Sequence, residues 1–392
     1  MKVVELFAGI GAWGKALTNL GIEHEIVAYA EKDKYPSKAY SAIHGIQEDK
    51  NVWDITKCSG KGLGEVDLVC YSPPCQTFSR SGKQEGTKDS RGLLFYDALR
   101  IIKSTNPKYA VMENVEDLAL GNFKFEFRKM KAELTKAGYR NYARVINSRD
   151  YGMPQNRKRV FIVSVRNDID TIFTWPKSFD NGLRLKDFLQ KKVNEKYYLS
   201  QKIIKGFIQH RKRHEQKGNG FKFSPIKDTN TIAKCIATVP GGRATDNYID
   251  ETEVRVREAT KKGYAIAKMG DSINFSLPNS KTRRGRVGKG FAQTLDTQCN
   301  QATLTKDYKI RKLTPLECFR LQGFDDEDYW KARRALEKSF YNGKDRSDSR
   351  MYKMAGNSIT VNVPMEIFKN LLLGRVQDTP EQYMERNQLS MF

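Results

Sequence analysis

Val3-Val-Glu-Leu-Phe-Ala-Gly-Ile-Gly-Ala-Trp-Gly14, followed by Lys15-Ala-Leu-Thr-Asn-Leu20, reads as a buried strand, a glycine turn and a helix. Gly9, Gly11 and Gly14 reproduce the spacing that lets a main chain approach a nucleotide at a helix N-terminus. A second apolar run, Ile26-Val-Ala-Tyr-Ala30, ends in Glu31, about 20 residues on, where an acid reaches ribose hydroxyls. The pattern fits a nicotinamide cofactor and an adenosyl cofactor equally well. It names half of a doubly wound α/β fold and leaves the ligand open.

Three further stretches carry chemistry. Asp67-Leu-Val-Cys70 reads as a strand ending at Tyr71, and Ser72-Pro-Pro-Cys-Gln-Thr-Phe-Ser79 follows it. Two prolines stop a buried strand, so Pro74 presents Cys75 in a turn at the carboxyl edge of the sheet. Tyr109-Ala-Val-Met-Glu-Asn-Val115 brings Glu113 and Asn114 to the same edge. In Gln155-Asn-Arg-Lys-Arg-Val-Phe-Ile-Val163, alternation puts Gln155, Arg157 and Arg159 on one face of a strand, where guanidinium groups can bind carboxylate or phosphate. A thiol, a carboxyl and an amide together suit alkylation of a pyrimidine carbon that is not itself nucleophilic. The thiolate adds to carbon 6, and the acid hydrogen-bonds or protonates nitrogen 3. Carbon 5 becomes enamine-like and takes a methyl group, and loss of its proton expels the thiol. The acid works best when a desolvated pocket raises its pKa toward neutrality.

Taken in order, these segments resemble the cytosine-5 DNA methyltransferase family of bacterial or phage type, nearly end to end. The resemblance implies a Rossmann-like S-adenosylmethionine-dependent domain with a smaller, mostly β or irregular target-recognition domain. It implies that Phe7, Ala8, Gly9, Ile10 and Gly11 cradle the cofactor, with Glu31 at its ribose and Asp54 and Ile55 at its adenine. Asn357 and Ser358, in Tyr352-Lys-Met-Ala-Gly-Asn-Ser-Ile-Thr-Val-Asn-Val363, would line the same pocket. It implies Cys75 as nucleophile beside Pro74, with Glu113, Asn114, Arg157 and Arg159 completing the catalytic set. Arg311-Lys-Leu-Thr-Pro-Leu-Glu-Cys-Phe-Arg-Leu-Gln-Gly-Phe324 looks like the late motif that supports target recognition. Lys32 stands where many members carry an aromatic residue, so adenine stacking is weaker or falls to Ile55. The polar stretch 76–92 has the texture of a lid over a flipped base, with Gln76, Ser79 and Arg91 as nucleic-acid contacts. Arg283, Arg284 and Arg286 are expected on DNA, more on phosphates than on guanine edges.

Composition agrees. The chain has 392 residues and a formal charge of +23, from 69 basic against 46 acidic residues, which favours a polyanion such as double-stranded DNA. Residues 176–310 hold 28 Lys and Arg against 13 Asp and Glu, a surplus of 15 in about a third of the chain. Strand and helix signals alternate to about residue 165; from 177 to 310 the texture turns glycine-rich and basic, without a long helical period. The expected organisation is a catalytic domain over 1–176, completed by about 311–375, a reader over 177–310, and a loosely ordered tail over 376–392. A helix is expected from Pro315, after Thr314 as N-cap, and a last one over Pro364 to Leu373. His210 and His214, one helical turn apart with three cations between, read as a basic helix face and not as metal ligands.

The six cysteines show neither disulfide nor metal spacing. With no signal peptide and no apolar run near ~18–20 residues, a reducing cytoplasmic, nucleoid-associated setting is expected. No metal, membrane or obligate protein partner is implied; a cognate restriction endonuclease in the same system is compatible. Three other readings stay open. A nicotinamide oxidoreductase leaves Pro74-Cys75 and the basic middle region unexplained. A tRNA cytosine-5 methyltransferase uses the same chemistry with a shorter middle region. A catalytically dead DNA-binding relative is opposed by the intact Cys75, Glu113, Arg157 and Arg159.

Overall fold

The computed structural model describes residues 1–74, 94–121, 123–216, 218, 223–239, 241–251, 254–268, 271–274, 282, 284–289, 301–303 and 310–374. They fall into two compact units: Met1–Leu189 with Thr231–Val239 and Pro315–Phe392, and Gln190–Asn230 with Pro240–Thr314.

The first unit is built on strands β1 (Lys2–Leu6), β2 (Glu25–Ala30), β3 (Leu68–Tyr71), β4 (Tyr109–Val115), β5 (Tyr139–Asn147), β6 (Gln155–Asn156) and β7 (Lys158–Arg166). All but β6 form one sheet in the order β2-β1-β3-β4-β7-β5. The first four are parallel, and β7 runs antiparallel to both β4 and β5. The parallel strands are mostly apolar because both faces are covered; all four residues of β3 are buried. On one face Val4, Leu6, Tyr71 and Met112 pack against α3 (Leu94–Thr105) and α5 (Lys124–Lys136), through residues such as Phe95, Leu99, Met130 and Leu134. Alternation sends Glu5 and Glu113 to the opposite face. There Trp13 of α1 (Ala12–Asn19) meets Phe161 of β7 edge-on at 6.2 Å; α2 (Lys34–His44) follows β2, and the short α4 (Asp117–Leu120) follows β4.

Register decides what shares the sheet edge. Leu6 pairs with Tyr71, and Tyr71 with Met112, so β1 and β3 end level with Met112 while β4 runs on to Val115. The next residues, Phe7, Ser72 and Glu113, leave that level together. Because β7 runs the other way, Arg159, opposite Val115, enters the sheet at the same edge.

The second unit corrects the expectation that residues 177–310 lack a long helix. α6 (Gln201–Gln216) spans 16 residues. Its narrow stripe of Ile204, Phe207 and Ile208 packs with Phe223, Tyr248 and Ile310, a period that the intervening cations hide in the sequence. His210 and His214 lie on this helix with ring centroids 4.1 Å apart. The remaining strands are short antiparallel pieces: Tyr248–Asp250 with Ile310–Lys312, Val254–Arg257 with Tyr264–Ala267, and Ser272–Asn274 with Val287–Gly288 and Gln301–Thr303.

The division between units does not fall at 176 and 310. Residues after Trp175 stay with the first unit, where the Phe179 N–H donates to the Asp150 carbonyl at 2.9 Å. Residues 231–239 return to it as β8 (Ala233–Lys234), parallel to β6. Composition carries no trace of such pairing. The first unit closes with α7 (Pro315–Leu321), α8 (Asp326–Phe340), α9 (Asp348–Asn357) and α10 (Asn362–Leu372). Lys15 of α1 reaches Asp325 and Asp328 at the start of α8, at 2.8 and 2.7 Å. Among the described residues no helix is long and apolar enough to cross a membrane.

Candidate active site

The glycine loop takes the shape expected of it. Gly9 and Gly11 have φ of +58° and +79°, the left-handed region that glycine enters without strain. A side chain at Gly11 would strike His44 and Tyr40, whereas the space in front of Gly9 is open. Glu31 holds the loop: its carboxylate accepts the Gly9 N–H at 2.9 Å and the Asp33 N–H at 2.8 Å. Burial pushes its pKa up against those bonds. Each oxygen keeps a lone pair, so the carboxylate can still accept ribose hydroxyls.

Asp54 accepts Lys32 Nζ at 3.0 Å and the Thr56 N–H at 3.1 Å. These bonds, the lysine first, draw its pKa down to about 2. Lys32, in the place of an aromatic residue, is therefore a partner for Asp54. Ile55 is buried at 4% exposure in the core beside α3. The exposed aromatic here is Trp53, 43% exposed and held at φ +55°, a strained conformation for a bulky residue. One side chain anchors this stretch to Glu31: Asn51 Oδ1 accepts the Trp53 N–H at 2.8 Å and the Glu31 N–H at 3.1 Å. No motif in the sequence singles out Trp53; its one signal is an aromatic residue just before Asp54. Phe7 also has a positive φ, of 57°, and Ala8 and Ile10 are buried.

At the neighbouring strand ends, Pro73 and Pro74 carry the chain to Cys75, which lies outside the described residues with Gln76, Ser79, Arg91 and Arg283. Asn114 Nδ2 donates to the Pro73 carbonyl at 3.2 Å, fixing the proline turn to the end of β4. Trp13 Nε1 donates to Ser72 Oγ at 3.3 Å. Glu113 is buried, and Arg159 Nε lies 3.0 Å from its Oε1. Burial raises the Glu113 pKa; Arg159 and Arg157 oppose the rise without cancelling it.

Arg157 does something else. It falls between β6 and β7, 4% exposed, and its Nη2 donates to the carbonyls of Gly356 and Ser358 at 3.0 and 2.7 Å. It ties the end of α9 to the arginine segment and does not clamp a carboxylate. Gln155, buried, donates to the Leu321 carbonyl at 2.8 Å and accepts the Ile236 N–H at 3.1 Å. Ser358 is buried with its hydroxyl on the Ile359 carbonyl, whereas Asn357 is exposed. In the second unit Arg284 is exposed and donates to the Ala259 carbonyl. Arg286 departs from the expectation of a DNA contact: at 3% exposure it is buried, with its N–H on Glu258 and its Nη1 on the Arg257 carbonyl. It serves the packing of that unit.

A parallel sheet edge with a glycine cradle, a ribose-type acid and a buried carboxyl whose pKa burial raises, beside an arginine, defines a nucleoside-cofactor enzyme of the doubly wound class. Residues 1–373 match the family of C-5 cytosine-specific DNA methylases, and the chain belongs to that family. Relatives include the orphan methyltransferase M.SPRI of Bacillus phage SPR, 32% identical over 95% of this chain and 97% of that protein. The type II methyltransferase M.HhaI of Haemophilus parahaemolyticus is 28% identical over 95% and 94%. Among solved structures, a Spodoptera frugiperda DNMT2 mutant shares the fold with a TM-score of 0.63 at 20% identity, covering 94% of this chain and 98% of that one. The S. pombe Dnmt2 methyltransferase gives 0.62 at 17%, over 95% and 98%. The chain is thus a DNA cytosine-5 methyltransferase by family, and S-adenosylmethionine is the cofactor the family implies.

Proposed function

We propose that the chain methylates carbon 5 of a cytosine rotated out of a specific double-stranded DNA sequence, through a covalent adduct at Cys75. The observation that carries this reading is the buried Glu113–Arg159 pair on the sheet edge where the glycine loop and the Pro73-Pro74 turn also begin. When bound, S-adenosylmethionine supplies an electrophilic methyl group. Gly9 leaves room for it, Glu31 accepts from its ribose, and Trp53 offers the aromatic face that Lys32 cannot.

Cys75 as thiolate adds to carbon 6 of the ring. Glu113, whose pKa burial raises, holds or delivers a proton at nitrogen 3, and Arg159 fixes its carboxyl in place. Carbon 5 gains nucleophilic character and takes the methyl group; removal of its proton then expels Cys75. Asn114 holds the turn that presents the thiol. The target base must leave the stack, because its ring faces are covered in a duplex; extrusion costs a few kcal/mol. The second unit, Gln190–Asn230 with Pro240–Thr314 and with Arg284 as an exposed cation, reads the sequence.

Methyl transfer from labelled S-adenosylmethionine to duplex DNA, with tRNA in parallel, tests the substrate. Bisulfite mapping of DNA from cells expressing the protein then gives the target. Transfer to tRNA and not to duplex DNA would overturn the reading.

A further inference from the structure

Cys235 lies far from every chemical motif in the sequence, yet it stands at the arginine cluster. β8 pairs with β6, and the Ile236 N–H is held by Gln155, which places the Cys235 sulfur 3.3 Å from Arg157 Nη1. The segment is pressed onto α9: a Cβ on Gly356 would come within 2.6 Å of the Thr238 main chain. Cys235 is exposed and, with Arg159, Lys158, Asn156, Glu116 and Asp117, lines a cavity of about 320 Å³. Arg157 and Arg159 also bond to the Gly356 and Ser358 carbonyls and to Glu113 respectively.

We propose that Cys235 is a thiol-exchange site at which a low-molecular-weight disulfide switches off the arginine cluster. The thiolate attacks one sulfur of the disulfide. A protein–small-molecule disulfide forms, the original S–S bond breaks, and the second half leaves as thiolate; an added thiol reverses the reaction. The geometry supplies what exchange needs, an accessible sulfur beside cations in a space that admits a small molecule. Desolvation pushes the Cys235 pKa up, but Arg157 and then Arg159 outweigh it, and the net displacement is downward. Lys158 on the same wall adds to the cationic field, and Glu116 and Asp117 oppose it. A group attached to the sulfur occupies the space in front of Arg159 and takes Cys235 from Arg157.

The exchange half stands on the cluster alone; the switching half rests on the catalytic reading of Glu113 and Arg159. The full-length protein is treated with glutathione disulfide across a pH series, and each cysteine is followed by peptide mass mapping. Cys235 is expected to react at pH 7 ahead of Cys58, and faster than Cys235 of the urea-unfolded chain. Arg159→Gln should slow it by roughly two- to fivefold, the range of one solvent-screened charge contact. Equal Cys235 rates in folded and unfolded chain would overturn the exchange site, and that comparison needs no variant to fold. With Cys235 occupied and Cys75 shown unmodified by the same mapping, single-turnover methyl transfer should fall and should return with dithiothreitol. An unchanged rate at full Cys235 occupancy would overturn the switch. A protein with no methyl transfer before treatment would instead count against the proposed function.

Discussion

Glu113→Gln separates chemistry from structure in one substitution. Glutamine keeps the shape and an oxygen for Arg159 Nε, now at 3.0 Å, but loses the charge and the proton. Burial raises the Glu113 pKa even with two arginines opposing, so ionising this carboxyl is a net cost to the folded state. A neutral isostere therefore forfeits little stability, about 1 kcal/mol for exchanging a charged hydrogen bond for a neutral one. The sign of the pH dependence follows. A carboxyl with a raised folded-state pKa contributes fully below its unfolded value, and the contribution is lost as pH rises through the folded value. The deficit of the Gln variant should thus be largest in acid and shrink toward neutral pH. The rate should behave otherwise: removing a positioned general acid costs about 10²–10⁴-fold, or roughly 3–5 kcal/mol of barrier. Urea denaturation at several pH values and single-turnover transfer to duplex DNA at saturating cofactor measure the two effects. A Gln variant with a near wild-type single-turnover rate, or one whose rate loss matches its loss of folded protein, would refute the acid role.

Four other outcomes are expected. Cys75→Ser should abolish methyl transfer while DNA and cofactor binding persist, and DNA containing 5-fluorocytosine should trap the wild type covalently; turnover by the serine variant would remove Cys75 as nucleophile. Arg157→Lys cannot reach both the Gly356 and Ser358 carbonyls that Arg157 Nη2 bridges, so urea unfolding should register a loss of about 2 kcal/mol. Trp53→Ala should weaken cofactor binding by calorimetry, and the wild-type tryptophan emission should change on cofactor addition; an unchanged affinity would exclude Trp53 from the pocket. Glu5, fully buried on β1, has its pKa pushed up to about 8 by burial. Its stabilising contribution is complete below about 4.5 and drains as pH climbs through about 8, so in urea unfolding Glu5→Gln should remove the fall in stability between those two pH values.

Local signals were enough to write much of the first unit in advance. β4 spans Tyr109–Val115 as its apolar run ending in Glu-Asn-Val implied, and α7 starts at Pro315. Strand period, proline and glycine act within a few residues, so one-dimensional sequence carries them. The ordered motifs went further and named the family, because their residue types and order persist without coordinates.

What the sequence could not hold was anything that depends on register or on chain return. It proposed Arg157 and Arg159 as equals on one strand face; tertiary structure gave Arg159 to Glu113 and Arg157 to the carbonyls at the end of α9, 199 residues away. Arg286 looked like a surface cation until the short strands around it closed over its side chain. Cys235 was one cysteine among six, and only the pairing of β8 with β6 brought its sulfur to Arg157. A charged side chain has no intrinsic partner: desolvation and Coulomb energy depend on distances of a few ångströms, and those distances exist only once the chain has folded back on itself.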